Sequence, residues 1–469
     1  MSQHRVFTDL AEFVVGLATA DVPELAVRRA VDAMIDGLGC ALAGSREPLA
    51  PMIRRAITPV PESHSGAAPL LGSTDYAAPA DAALYNGTLS HAIDFDDITH
   101  PAYAHPTAVL LPTILSLARL GGSSGMDAVL AYVIGLEVFG RLGRALNTHH
   151  YRSGWHATST FGSIAAAAAG ARLLKLDIDR TRHALAIGGS ASSGLRANFG
   201  TMTKPLHAGY AARNGVLAAQ LAAEGFTATE DILTADFGFA KTFNQNGEHI
   251  RWGELRRWGD ELEILSEFGL ALKPYPSCGA THPSIEAAIL LHRDIGGRYR
   301  EVAAVDVGVP DMAFQPLIYP NPASPLQGKF SMQYVVAAAL KDGDVNLQTF
   351  TEERLADPDT RALMAKVNMQ VDDRVQGNSE FGCVVELRLA DGGRFTREVP
   401  LAIGKPSRWF PREQLHQKFL SCVDGIVDGG RAEALFGEWL ALPEAERLDD
   451  LIHRLAVPSA PRAAWNPQH

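Results

Sequence analysis

The chain has 469 residues, 46% hydrophobic and 20% charged, which are ordinary proportions for a folding chain and, at roughly 150 residues per domain, allow two or three units. Its formal net charge of -11 excludes a general nucleic-acid surface, which needs clustered Lys and Arg. No stretch offers the ~18 consecutive apolar residues of a membrane helix, and the start MSQHRVFTDLAEF lacks a secretory signal. The four cysteines at 40, 278, 383 and 422 are too scattered for a CxxC motif and suit reduced thiols, so a cytoplasmic protein is expected.

To about residue 268 the pattern is helical. Asp21 and Pro23 supply start signals, and Val27, Val31, Met34, Ile35, Leu38 and Leu42 recur at helical spacing before Gly44. Helices are predicted over 80–93, 106–120, 128–146, 160–174, 181–193 and 209–224. The run SIAAAAAGARLLKL is apolar on all sides until Arg172 and belongs in the middle of a bundle. Beyond Phe268 the texture changes. EVAAVDVGVP (301–310) reads as a buried strand, and CVVELRLADGGRFTREV (383–399) as two strands joined at Asp391-Gly392-Gly393. Helices are predicted between them over 283–294 and 331–341, and helical periodicity returns over 413–427 and 431–439. The expected fold is mainly α: a large all-α domain from both chain ends, 1–268 and 404–469, interrupted by a smaller α/β (α+β) domain over 269–403.

Five stretches carry chemistry. NGTLSHAIDFDDITHPAYAHP (86–106) gathers His91, His100, His105, Asp94, Asp96 and Asp97. It lacks HExxH-type ligand spacing, and acid/base work suits it better than a metal, since a carboxylate can fix a histidine's tautomer; for Asp96 and Asp97 a helix-end cap is an equal reading. His156 precedes the small-residue helix, at a position suited to anions. Arg196, Lys204, His207 and Arg213 concentrate positive charge between 193 and 215, either a carboxylate cradle or a solvated loop. LKPYPSCGATHP brings Lys273, Tyr275, Cys278 and His282 to the domain junction, where Cys278 is a nucleophile or a small packing residue. In GKFSMQY, Tyr334 follows Lys329 and either donates a proton or packs. The nucleotide-binding loops GxxxxGK[ST] and GxGxxG and the GxSxG elbow are not found.

Taken together, NGTLSHAIDFDD with a downstream HP, GWHATSTFG, GTMTKPLHAGYAARNG, KPYPSC with THP, and KFSMQY resemble, in order and from about residue 5 to 455, the MmgE/PrpD or 2-methylcitrate dehydratase family. The resemblance implies a homodimer whose subunit pairs an all-α domain with an α/β lid. It also implies a small di- or tricarboxylate substrate, no metal and no organic cofactor. Family activities are 2-methylcitrate dehydration, cis-aconitate decarboxylation and iminodisuccinate epimerisation. Similarity to the decarboxylating members places Asp94, His105, His156, Lys204 and Tyr334 at catalytic positions, with Lys273, Arg196, His207, Cys278 and Thr99 expected to bind substrate. Two positions depart from those members: Ile98, followed by Thr99, stands where they have threonine, and Cys278 where they have histidine.

The expected function is a cofactor-independent lyase that transfers protons beside a carboxylate, dehydration being the favoured reaction. Epimerisation of a dicarboxylate such as iminodisuccinate and cis-aconitate-type decarboxylation are the alternatives. A carboxylate-binding protein is the non-enzyme alternative, and a metal-dependent hydrolase built on 86–106 a fourth. Nucleic acid and membranes are not expected partners.

Overall fold

The computed structural model describes residues 5–376 and 382–455; the last part of the expected helical segment, 456–469, lies outside them. The fold is mainly helical with small sheets. Most expected helices form within a few residues of their predicted bounds, among them Glu24–Gly44, Pro79–Ala92, Gly125–Leu146, Ala157–Leu173 and Met332–Asp342. Local chemistry explains several ends. Ser124 and Asp127 exchange side-chain and backbone hydrogen bonds in a capping box, and Gly343, with φ of 70°, closes Met332–Asp342.

One start differs in a way that matters. The helix expected from 209 begins at Thr203 and runs to Ala223. Pro205 looks like a breaker, yet it occupies the first turn, where its missing N–H would have had no intrahelical partner. Lys204 and His207 therefore stand on a rigid helix rather than in a loop.

This helix packs against Ala157–Leu173 and Pro79–Ala92 through small residues. A Cβ on Gly215 would stand 2.2 Å from Ala166 Cβ, and one on Gly209 2.4 Å from the Leu84 carbonyl oxygen. The alanine run was thus correctly read as a bundle centre, its residues 157–171 all buried.

The larger sheet has the order Val367–Val371, Val302–Val309, Cys383–Leu389, Arg394–Val399. The first pair is parallel and the others antiparallel. The hairpin turn falls at 390–393 as expected, whereas the strand VNMQV (367–371) is not among the expected elements: its apolar/polar alternation lasts only five residues and its last two residues are exposed.

One apolar core spans Val6 to Leu272 and resumes from Phe410 to Leu455; a second spans Ala280 to Val399. We propose these cores as the two units expected from the sequence. Among the described residues, no helix is long and apolar enough to cross a membrane.

Gly215→Ala should lower unfolding stability by about 1 to 3 kcal/mol, the usual cost of overpacking, read as a fall in the urea midpoint at unchanged slope. Gly437→Ala, at a helical position with nothing within 4 Å of the new methyl, should be neutral or slightly stabilising. Equal responses would contradict the close packing of these helices.

Candidate active site

Helix Pro79–Ala92 ends where the histidine and aspartate cluster begins. Asp94 follows with φ of 55°, a left-handed conformation that non-glycine residues adopt only when their surroundings impose it. Three successive carbonyl oxygens are each taken by a buried lysine from a distant segment. Lys329 Nζ donates to Ile93, Lys273 Nζ to Asp94 at 2.9 Å and Lys418 Nζ to Phe95 at 2.7 Å. Cations at a helix C-terminus also meet the negative end of its dipole. Lys418 is itself held 2.6 Å from Asp36 and donates to the Lys273 carbonyl at 2.9 Å.

The Asp94 carboxylate receives two ammoniums on one oxygen, Lys204 at 2.7 Å and Lys273 at 3.0 Å. Burial alone would raise this carboxyl, but Lys204 and Lys273 outweigh it and hold it well below the usual range.

Four histidines surround this pair. His91 Nδ1 lies 2.9 Å from both Asp96 oxygens. His105 Nδ1 lies 2.9 Å from the Asp97 carbonyl oxygen. A carbonyl only accepts, so Nδ1 carries the proton and Nε2 of the neutral ring keeps a free lone pair. His156 precedes helix Ala157–Leu173, and its Nδ1 is 3.0 Å from Nδ1 of His207, so one ring donates to the other. Burial, then the neighbouring His91 and Lys273, push His105 down to about 3. Burial and His207 hold His156 well below its ordinary range, and burial, His91 and Lys204 push His207 down to about 4. These imidazoles are neutral at pH 7. Burial opposes ionisation of Asp96, yet contacts from His91 and His105 keep its carboxyl well below the usual range. Asp97 turns away to Thr107 and Tyr132, and burial pushes it up to about 8.

A narrow cavity of about 60 Å³ opens onto this machinery. Asp94, His105, His156 and Lys204 form its polar part; Ile98, Ala280, Phe199 and Phe330 are among its apolar lining, with Tyr103 and Tyr151. Of the ten expected site residues, Asp94, His105, His156, Lys204 and Cys278 line the cavity. Lys273 and His207 support lining residues from behind.

The other three are placed elsewhere. Thr99 is not a lining residue: in the strand Ile98–Thr99 successive side chains point to opposite faces, and Ile98 is the one that faces the cavity. Arg196 stacks 3.8 Å from the Tyr151 ring and donates to the Tyr151 and Gln315 carbonyls, bracing the wall rather than entering the cavity. Tyr334 belongs to the α/β core, its hydroxyl donating to the Thr349 carbonyl and its ring packed on Phe350. From KFSMQY it is Lys329 and Phe330 that reach the site. Burial, then Asp94, raise the Cys278 thiol, so it is no ready thiolate nucleophile.

Lys418 was missed, as were Tyr103, Tyr151 and the His91–Asp96 pair as a unit. The signal for Lys418 was present: it sits between Leu415 and Cys422 on the apolar face of Arg412–Val423, where a solvated lysine does not belong.

His91, Asp94, Asp96 and His105 place ligand-type atoms within 4.8 Å of one another, enough donors for a divalent ion. The donors are already committed. Asp94 neutralises two ammoniums and Asp96 contacts two imidazoles. An ion there would meet Lys204 and Lys273 at close range, so the residues do not suit a resident metal.

Comparison with known proteins agrees with the motif pattern. The family model described as MmgE/PrpD N-terminal domain matches residues 8–250, and that described as MmgE/PrpD C-terminal domain matches 275–438. A cis-aconitate decarboxylase of Homo sapiens is 30% identical over 400 residues, 83% of this chain and 82% of that protein. That of Mus musculus is 28% identical over 467 residues (96% and 92%), and that of Aspergillus terreus 28% over 480 (97% and 96%). The two family matches cover most of the chain, which therefore belongs to the MmgE/PrpD family.

Proposed function

We propose that this protein is a lyase acting by acid/base proton transfer beside a carboxylate of a small di- or tricarboxylic acid, using its own side chains alone, and that it expels CO2 rather than water. The observation that carries the proton chemistry is His105, whose Nδ1–H is tied to the Asp97 carbonyl while the ring lines a cavity shared with Lys204.

One observation favours decarboxylation over the dehydration expected from sequence. The relatives matched over nearly their whole length are cis-aconitate decarboxylases.

The chemistry follows from an unsaturated acid whose leaving carboxylate sits on the carbon next to the double bond. The C–C bond to that carboxylate breaks, and its electron pair forms a new double bond. The former π pair moves to the carbon beside the remaining carboxylate and takes up a proton there. Lys204 stabilises the negative charge as it develops. A bound anion offsets the lysine charge that keeps His105 neutral, so its imidazole gains a proton on substrate binding and delivers it to carbon. We assign the resupply of that proton to the His156–His207 pair, whose rings are hydrogen-bonded at 3.0 Å.

Proton NMR of the enzyme with unsaturated di- and tricarboxylates in D2O should show a product one carbon shorter, with one deuterium on the carbon next to the surviving carboxylate. Loss of water without CO2 would return the reading to dehydration, and inversion without loss to epimerisation. Lys204→Ala and His105→Gln should each slow turnover by about 10²- to 10⁴-fold; near-normal rates in both would refute the site.

Turnover should survive exhaustive chelation. Activity abolished by chelator and restored by a divalent ion would instead make the His91–Asp94–Asp96–His105 cluster a metal centre.

A folded-state value near 3 lies below the ordinary 6.5, so the His105 ring should remain neutral in imidazole NMR as pH falls from 7 to 5. Over the same range the unfolded chain binds protons that the folded chain refuses, so stability should fall with pH. A His105 midpoint near 6.5 in the free protein would contradict its burial.

A further inference from the structure

Beside its charged face the cavity has an apolar one, and Ile98 stands in it. Ile98 lines the cavity, pressed close to Gly279: a Cβ on that glycine would lie 3.0 Å from Ile98 Cδ1. Gly279, Ala280 and Phe330 continue the lining, and the side chains at these positions present only carbon. The neighbouring Cys278 carries a thiol raised by burial and by Asp94, hence neutral.

The charges of the site are partly cancelled. Asp94 faces both Lys204 at 2.7 Å and Lys273 at 3.0 Å, which leaves one positive charge over, while His105 and His156 are neutral and Lys273 is turned to Asp94 rather than to the cavity. One incoming carboxylate can share Lys204, and a second can be met by a histidine that takes up a proton. A third, pressed against Ile98, would be desolvated without a charged partner, which is strongly unfavourable. An alkyl group in the same place would gain from leaving water.

We propose that Ile98 determines specificity and that the substrate carries a small alkyl group, rather than a third carboxylate, at the position facing Ile98 and Gly279. This rests on the lyase reading of the same site and names its substrate class: an alkyl-substituted unsaturated dicarboxylate. In the decarboxylation written above, the electron pair moves from the breaking C–C bond through the double bond to the carbon beside the second carboxylate. The alkyl-bearing carbon lies between and needs no charge of its own.

The test compares glutaconates bearing methyl, ethyl or propyl at carbon 3 with cis-aconitate, which has a carboxylate there and is otherwise the same skeleton. For the wild-type enzyme, kcat/KM on the best alkyl acid should exceed that on cis-aconitate by at least about tenfold. Ile98→Thr should reduce that ratio by about tenfold or more, while Ile98→Val, which keeps an apolar wall, should preserve it. Circular dichroism of both variants checks that the fold is intact.

Equal or faster turnover of cis-aconitate by the wild-type enzyme would overturn the proposal and leave the lyase reading standing. Release of CO2 from none of the acids would sink the decarboxylase reading instead. Saturation-transfer NMR then decides the role of Ile98 by binding alone. Preferential binding of the alkyl acids that disappears in Ile98→Thr supports it; indifference to the substitution rejects it.

Discussion

The arrangement on which the rest of this molecule depends is the set of buried ammoniums on the carbonyls of Ile93, Asp94 and Phe95. Burying an ammonium is costly unless hydrogen bonds and opposite charge replace its water. Here the end of one helix supplies the acceptors, and its dipole adds to their pull. The donors stand 236, 179 and 323 residues away along the chain, so this turn is completed only when both apolar cores are assembled. In exchange the lysines hold Asp94 in a backbone conformation it would not choose, with its carboxylate aimed at Lys204. Removing one partner from such a network costs far more than removing a surface ion pair, because the charge left behind has no water to turn to.

That arrangement also sets the protonation of the histidines. Burial and positive charge act together to keep His105 and His156 neutral, and around a small buried cavity these effects are weakly screened. An anionic ligand reverses the balance, so binding and proton uptake become one event. The supporting frame is stiff for an independent reason: glycine and alanine bring the helices Ala157–Leu173 and Thr203–Ala223 so close that backbone and methyl atoms touch. Lys204 and His207 are presented from that frame, not from a loop.

Some of this was legible in the sequence for identifiable reasons. Apolar residues spaced by helical turns located the bundle, and Asp391-Gly392-Gly393 located the hairpin, since both signals are local. The parallel partner strand Val367–Val371 was not legible because its alternation lasts only five residues and its pairing with Val302–Val309 is made across a long crossover. Tyr334 misled for a similar reason. Its neighbours Lys329 and Phe330 reach the site, but one turn of helix carries the tyrosine into the α/β core.

The sequence by itself determined the mainly helical architecture, the family and the cluster of histidine, aspartate and lysine around which the chemistry is built, because residue type and local spacing encode them. The tertiary structure alone decided which members of that cluster face the cavity. Ile98 rather than Thr99 points inward because a short strand pairs with Leu270–Ala271 in one register and not the other. Lys418 enters the site region because a helix from the far end of the chain packs behind it. Side-chain direction and protonation are set by neighbours more than a hundred residues away, and neither a local pattern nor a composition carries that information.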